Sequence, residues 1–424
     1  MIDTVIIHIP MFKTYTRKEG NVNMIIGDVA DYGLVASTRY IVRDPITKEI
    51  THGDLYHPFE SLPTSHSGVA CKFFDRTANC LPYLSLNASV AKIEKGHNVY
   101  GHNFLYNSIA DMLAVFKKAY PNFWQFLDVA NAKISRLDIT YSAKMQNKHS
   151  AEQMREYLRN VNFGRLRNNS KQERWNTIYF GSENSRVGGA KIYCKGAELR
   201  NERKELAKKA NSGCLMSLQK LKVLTPKLQD IADKLIRFEA TIKTRQLHQM
   251  SIPSNLWQFI DYVRKNPNTF IKLWKYKFDP ILSTLKGMVM TNADDAKVRE
   301  ILYEKLTTVT KTGRISTTKA KNAFRFYRDL KIDGFINVQK NYSKSQFSLL
   351  VKTLVDCGFS RAFLQNLSKP TVNEAIPVLH MLNIDFGNNL PNDYQLNISE
   401  NLFDFEEYLP KGLKLNPRLR LKVV

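Results

Sequence analysis

The chain has 424 residues, 43% hydrophobic and 11% aromatic, which is enough to bury sizeable cores in two or three domains and excludes disorder as the main state. Lys and Arg number 63 against 39 Asp and Glu, and the resulting net charge of +24 at pH 7 calls for a polyanionic partner, either nucleic acid or an anionic membrane. No stretch approaches 18 uninterrupted apolar residues, and the N-terminal apolar run precedes its charges, the reverse of a secretory signal; a soluble cytoplasmic protein with no membrane partner is expected.

The first part of the chain reads as strands at 4–9, 33–36, 67–74 and 83–89, bounded by turn residues. A helix is expected over 108–127, where Ile109, Met112, Leu113, Phe116 and Tyr120 recur at helical spacing and Pro121 punctuates the pattern. Strand returns at 133–142, a short helix at 151–161, and a basic loop at 165–171 carries Arg165, Arg167 and Lys171. Strands follow at 177–181 and 190–194, then a highly charged helix at 196–209 bearing Glu198, Arg200, Arg203 and Lys204, whose faces a solvated helix would share. From Leu235 the chain alternates, with Ile236, Phe238, Ala240 and Ile242 on one face and Arg237, Glu239, Thr241 and Lys243 on the other, as a half-buried strand requires.

After Pro253 the pattern turns helical, at 256–264, 295–305, 319–330, 343–355 and 361–367. The pair at 343–367 reads either as a helix-turn-helix or as a plain helical hairpin. The expected class is α+β: a strand-rich N-terminal domain over 1–250, a helical connector over 251–289 and a mainly helical region over 290–424. Five cysteines, Cys71, Cys80, Cys194, Cys214 and Cys357, are scattered without a C-x-x-C, so neither a disulfide framework nor a zinc ribbon is indicated.

Three strands each carry a chemically capable residue opposite apolar neighbours. Asp138 lies between Leu137 and Ile139, and Glu239 between Phe238 and Ala240; acids are disfavoured inside strands, although an edge-strand acid paired with arginine gives the same pattern. Two carboxylates from neighbouring strands would suit a hard divalent cation, Mg²⁺ or Mn²⁺. In Lys191-Ile-Tyr-Cys-Lys195 a continuing strand puts Tyr193 and Lys195 on one face, where the ammonium lowers the phenol pKa or neutralises a phosphate. Tyr179, in Thr177-Ile-Tyr-Phe-Gly-Ser182, competes as nucleophile, and a packing role is the commoner one for a tyrosine.

The succession RLDITYSA, TIYFGSENS, KIYCKGAEL and LIRFEATIKTR resembles, in order and spacing, the rolling-circle initiators of plasmids and phages. More closely, HPFESLPTSHSGVACKF, GHNVYG, ISRLDITYSA, LIRFEATIKTR, FRFYRDL and VDCGFS are similar to the gene II products of filamentous bacteriophages, over about residues 1–394. The resemblance implies an antiparallel-sheet nickase domain that opens one strand of circular duplex DNA at the origin through a tyrosine 5′-phosphate and later rejoins the displaced single strand into a circle. Carried onto this sequence it makes Tyr193 the nucleophile, Lys195 its electrostatic helper, and Asp138 with Glu239 the metal ligands. It also implies origin duplex and displaced single strand as partners, a host polymerase and helicase, and the cytoplasm of a bacterial host.

One departure concerns the metal. Many such nickases use a His-x-His pair, and none of the nine histidines here stands two residues from another. A site of carboxylates with one distant histidine is expected, His97 in the GHNVYG turn being favoured, although a turn histidine bound to backbone reads the same. Glu198 is either a ligand or the first acid of its helix, where the macrodipole favours it. The family also makes a short product from an internal start, for which Met290 or Met288 stands in the matching place. A DNA-binding regulator without catalysis is the rival reading, since phosphate contacts alone would use the positive charge.

Overall fold

A computed structural model describes residues 1–64, 67–163, 177–182, 184–289, 295–369, 382–387, 390 and 408–409. Strands β1 (Ile2–Pro10), β2 (Glu60–Pro63), β3 (Gly68–Phe74), β4 (Tyr83–Ser89), β5 (Lys133–Lys144), β6 (Thr177–Phe180), β7 (Ala190–Cys194) and β8 (Leu235–Lys243) join in the spatial order β6-β7-β8-β5-β1-β4-β3-β2, every pair antiparallel. A short strand, β9 (Ile384–Asp385), pairs with Ser142 and Ala143 of β5. Because β8 fills one edge of β5 throughout, β9 lies on the other edge, past the point where Ile2 of β1 meets Ile139.

Period-two patterning gives this sheet two unlike faces. Val5, Ile7 and Ile9 of β1, Val69, Cys71 and Phe73 of β3, and Leu84, Leu86 and Ala88 of β4 are buried, while the residues between them are half exposed. The apolar face is covered by α1 (Leu105–Ala119), α2 (Lys148–Arg159) and α5 (Thr269–Ser283), with α3 (Lys195–Asn211) and α4 (Leu256–Lys265) between the last two in sequence. Trp274 of α5 packs on Tyr141 and Phe238 and donates its indole N–H to the Phe238 carbonyl at 2.9 Å. Each such fully buried large side chain contributes about 1.5–3 kcal/mol.

A second apolar core lies beyond Met288, built from Val298, Leu302, Phe326, Tyr327, Phe347 and Phe363 among others. It is tied to the sheet region by polar contacts: the Asn160 amide donates to Asn366 at 2.8 Å, Gln365 pairs with the Asn162 backbone in both directions, and Ser360 donates to the Thr284 carbonyl at 3.0 Å. The α+β class is as expected. Among the described residues no helix is long and apolar enough to cross a membrane.

Some local expectations fail for physical reasons. Residues 33–36 form no strand; Val29, Tyr32 and Leu34 reach the core from a turn, and Gly33 takes a left-handed φ of +77° there. Pairing begins one step later, between Ser37–Arg43 and Ile50–Tyr56. The helix expected over 108–127 divides at Tyr120, with Pro121 opening Pro121–Trp124 at the first helical position. In the second helix of the hairpin at 343–367, Arg361–Asn366, the residues Ala362 to Asn366 are buried, so it cannot lie in a DNA groove as a recognition helix would.

Candidate active site

The second sheet face is polar, and strand register assembles the candidate site on it. Glu239 of β8 stands between Thr140 of β5 and Lys191 of β7, and Arg237 stands between Ser142 and Tyr193. Side chains directly opposite on one face lie about 5 Å apart, so Tyr193, Lys191, Glu239, Arg237 and Asp138 are neighbours by register alone. Gly188 makes the approach to β7 possible: with φ of +91°, its missing Cβ would fall 1.9 Å from the Thr241 carbonyl oxygen.

Glu239 uses both oxygens. One accepts the Tyr193 hydroxyl at 3.1 Å and the other meets the Lys191 ammonium at 2.7 Å. Asp138 is held by a bidentate Arg136 guanidinium, at 2.9 and 2.7 Å, and by the Thr241 hydroxyl at 2.8 Å. Arginine pairing thus exists, but on a central strand and not on an edge. Burial first, then the charge of Asp138, raise the Glu239 carboxyl to about 7 against the pull of Lys191. Burial and the Glu239 charge hold the Tyr193 phenol well above its ordinary range, with Arg237 opposing.

A lid of sequence-distant residues closes this end. Arg237 is almost fully buried and donates to the carbonyls of Asn98 and Val99 at 2.5 and 2.6 Å. Asp3, beside the β1 bulge, accepts from the Asn98 amide at 2.9 Å. Burial opposes its ionisation, but Arg237, Lys195 and Asn98 keep its carboxyl below the ordinary value. Patterning hid Asp3 and Asn98, which come from a bulge and a turn. Arg136, Lys191 and Arg237 were visible, each two residues before Asp138, Tyr193 or Glu239 on the same strand face.

Lys195 does not sit where a continued strand would put it. β7 ends at Cys194, and Lys195 opens α3, fully buried, where its ammonium donates to Asn98 at 2.6 Å and pairs with Glu198. Glu198 is therefore a partner of lysine. Arg237 takes the place beside the phenol that was expected for Lys195. Tyr179 is half exposed on the edge strand β6, opposite Lys191 and one strand further from Glu239.

His97 is buried in the lid turn, where its Nδ1 accepts the Val99 N–H at 3.3 Å. Burial, with Lys195 and Arg237 nearby, lowers its pKa to about 4, so it stays neutral among cations. The oxygen donors do fit a hard divalent ion: Asp138 and Glu239 are adjacent carboxylates whose mutual repulsion a cation relieves, and the buried Thr140 hydroxyl between them has no hydrogen-bond partner among the described residues.

A different trio, His57, Glu60 and Cys71, brings possible ligand atoms within 4.8 Å of one another. It belongs to β2, β3 and the segment before them, at the opposite end of the sheet. There the Phe73 N–H donates to His57 Nδ1 at 3.0 Å, which places the ring proton on Nε2, 2.9 Å from Glu60. Burial raises the Cys71 thiol to about 12, and Tyr120 also donates to Glu60. A mixed N, O, S set closed by its own hydrogen bonds does not suit Mg²⁺ or Mn²⁺.

Of the basic residues expected to meet DNA, Arg203 and Lys204 are exposed on α3, while Arg200 is engaged by Asp233. Arg165, Arg167 and Lys171 lie outside the described residues, as does Met290.

An α+β protein whose sheet is helix-covered on one side and charge-rich on the other is what fold and site define; comparison with known proteins narrows this to a phage replication-associated protein. Residues 1–265 match the N-terminal family of the phage replication-associated protein, the gene II product, and residues 309–399 match its C-terminal family. The chain is 33% identical over 406 residues to the replication-associated protein of Enterobacteria phage fd, covering 93% of this chain and 98% of that protein. The same protein of Salmonella phage IKe is 33% identical over 407 residues, covering 93% and 96%. The chain belongs to this replication-associated protein family. No solved structure matches.

Proposed function

We propose that this chain initiates rolling-circle replication, nicking one strand of the circular duplex at the phage origin and later resealing the displaced strand. The observation that carries the reading is the Tyr193 hydroxyl set 3.1 Å from a buried carboxylate whose pKa is raised to about 7. Such a carboxylate accepts a proton near neutral pH far better than an ordinary glutamate. Glu239 takes the phenolic proton, the Tyr193 oxygen bonds to the scissile phosphorus, and the bond to the 3′ oxygen breaks, that oxygen taking a proton from water to leave a 3′-OH and a 5′-phosphotyrosine. In resealing, a 3′-OH gives its proton to water as its oxygen attacks that phosphorus, and Tyr193 leaves and takes back the proton held by Glu239. The phosphodiester energy is kept throughout, so no ATP is required.

Asp138 and Glu239 would hold Mg²⁺ or Mn²⁺, which supplies charge neutralisation at the phosphate oxygens. Arg237 stabilises negative charge on the phenol oxygen, and Lys195 with Asn98 and Asp3 positions the lid. Substrate reaches Tyr193 when the turn at 96–103 moves off the face, because the ring is 6% exposed. A host polymerase extends the 3′-OH and a host helicase unwinds ahead of it in the bacterial cytoplasm; duplex origin and displaced single strand are the substrates. Arg203 and Lys204, with Arg165, Arg167 and Lys171, contact phosphates.

The test is an SDS-resistant protein–DNA adduct formed with divalent metal and mapped by peptide mass. The reading requires the DNA on Tyr193. Attachment at Tyr179 reassigns the nucleophile, and origin binding without any adduct establishes the non-catalytic regulator instead.

A further inference from the structure

We propose that Phe59, Phe74, Tyr83 and His8 form a base-stacking platform for single-stranded DNA at the end of the polar sheet face away from Tyr193. The inference rests on the reading above that the chain handles a displaced single strand.

The rings come from adjacent strands and from the segment leading into β2. Tyr83 of β4 lies opposite Pro10 of β1 and Phe74 of β3, and His8 lies opposite Ser85. His8 and Tyr83 stack with centroids 4.3 Å apart and planes at 26°, and Tyr83 and Phe74 stack at 4.9 Å and 24°. The Lys72 ammonium continues the row, 5.2 Å from the Phe74 centroid and 5.5 Å from that of Phe59, which is 70% exposed. None of these rings serves the core beneath the sheet; in the same strands Ile7, Ile9, Leu84 and Phe73 do that. His8, Tyr83 and Phe74 cover one another's inner faces and Lys72 stands over both Phe74 and Phe59, so bases would stack on the outer faces of the row, above all on Phe59, whose apolar surface stands unburied on the solvent side.

Charge decides which ligand. At the same end of the face an open groove of about 450 Å³ is lined by Ser135, Arg186, Lys243 and Arg245 among others. Lys133, exposed, is the register partner of His8. The groove, Lys133 and Lys72 thus line a basic path across β8, β5, β1, β4 and β3 with the rings at its far side. Alternating cations for phosphates and flat rings for bases are the two requirements of sequence-tolerant single-strand binding. Paired bases in a duplex keep their π-faces covered by one another, so the platform discriminates for the unpaired strand.

The experiment uses the full-length chain and fluorescence anisotropy with three labelled probes: a deoxythymidine oligonucleotide, an abasic oligonucleotide of equal length, and an origin duplex. Phe59→Ala and Tyr83→Leu are expected to weaken deoxythymidine binding about tenfold or more. Abasic and duplex affinities, and adduct formation at saturating DNA, should stay as in the parent. Unchanged deoxythymidine binding by folded Phe59→Ala, or an equal loss on the abasic probe, overturns the platform; Phe59 is exposed enough for that variant to fold whatever Tyr83→Leu does. A parent chain that forms no adduct yet shows this ring-dependent binding refutes the nickase and leaves the platform standing.

Discussion

Tyr193 and Glu239 sit on neighbouring antiparallel strands, β7 and β8, two residues out of register and on one face, with phenol and carboxylate 3.1 Å from each other. The offset matters because Lys191, directly opposite Glu239, takes its other oxygen. A carboxylate so shared is oriented before any substrate arrives.

Cleavage should follow the ionisation of Glu239. Its carboxyl, raised to about 7 with no cation bound, must ionise both to hold the cation and to take the phenolic proton, so the nicking rate is expected to climb with pH along a limb that lies at or below that value, and Glu239→Gln should lose roughly a hundredfold or more and flatten the limb. A pH–rate profile for the single-turnover nick reads both. The linked stability runs the opposite way: a raised carboxyl pKa favours the protonated fold, so this contribution is complete below the ordinary glutamate range and is lost as pH rises through about 7.

Asp138→Asn removes the charge that, after burial, does most to lift Glu239. Cleavage should fall while the inflection of the pH–rate profile moves to lower pH. An inflection that stays in place would show that the Asp138 charge does not set it, leaving burial and Asp3.

Tyr193→Phe deletes one oxygen from a buried ring and leaves its packing intact. Adduct and nicking should vanish with origin affinity within about twofold of the parent, whereas Tyr179→Phe should keep both activities. Gel assays of nicking and binding on the same preparations separate these outcomes.

Salt should weaken duplex binding steeply. Replacing exposed Arg203 and Lys204 by Ala is expected to lower the log–log salt slope by about 0.9 for each lost phosphate contact. A slope identical to the parent would mark α3 as a solvated helix only.

The second core should hold together as a fragment, provided its first strap is kept. Met288 pairs backbone to backbone with Gly358 and Ser360, and Thr284 accepts from Ala362 and Ser360, so a fragment beginning at Thr284 should melt higher than one beginning at Met290. Both should bind DNA and neither should cut, because Asp138, Tyr193 and Glu239 are absent. Calorimetry and a nicking assay decide.

How much of this could be read from the chain depended on period. β5 and β8 announced Asp138 and Glu239 because strand alternation is local and sets each acid on the face opposite its apolar neighbours. Lys195 was misplaced because it is the one residue between the strand read to 194 and the helix read from 196, and no capping side chain marks where α3 opens. Asp3, Asn98 and the lid depend on contacts between residues nearly a hundred apart, which no window of sequence contains. His57, Glu60 and Cys71 were likewise brought together only by the pairing of β2 with β3.

The order of the sheet sets a timetable for synthesis. β1 leaves the ribosome first, but its neighbours are β4 and β5, so at roughly 5–20 residues per second its buried Val5, Ile7 and Ile9 wait several seconds for Leu86 and longer for Leu137. β9, which occupies the remaining length of β5, arrives only after the whole second core has been made. The nascent chain therefore carries an open apolar strand at its start and an unfilled sheet edge until near its end. Helices of the second core, whose contacts are local, can finish in between.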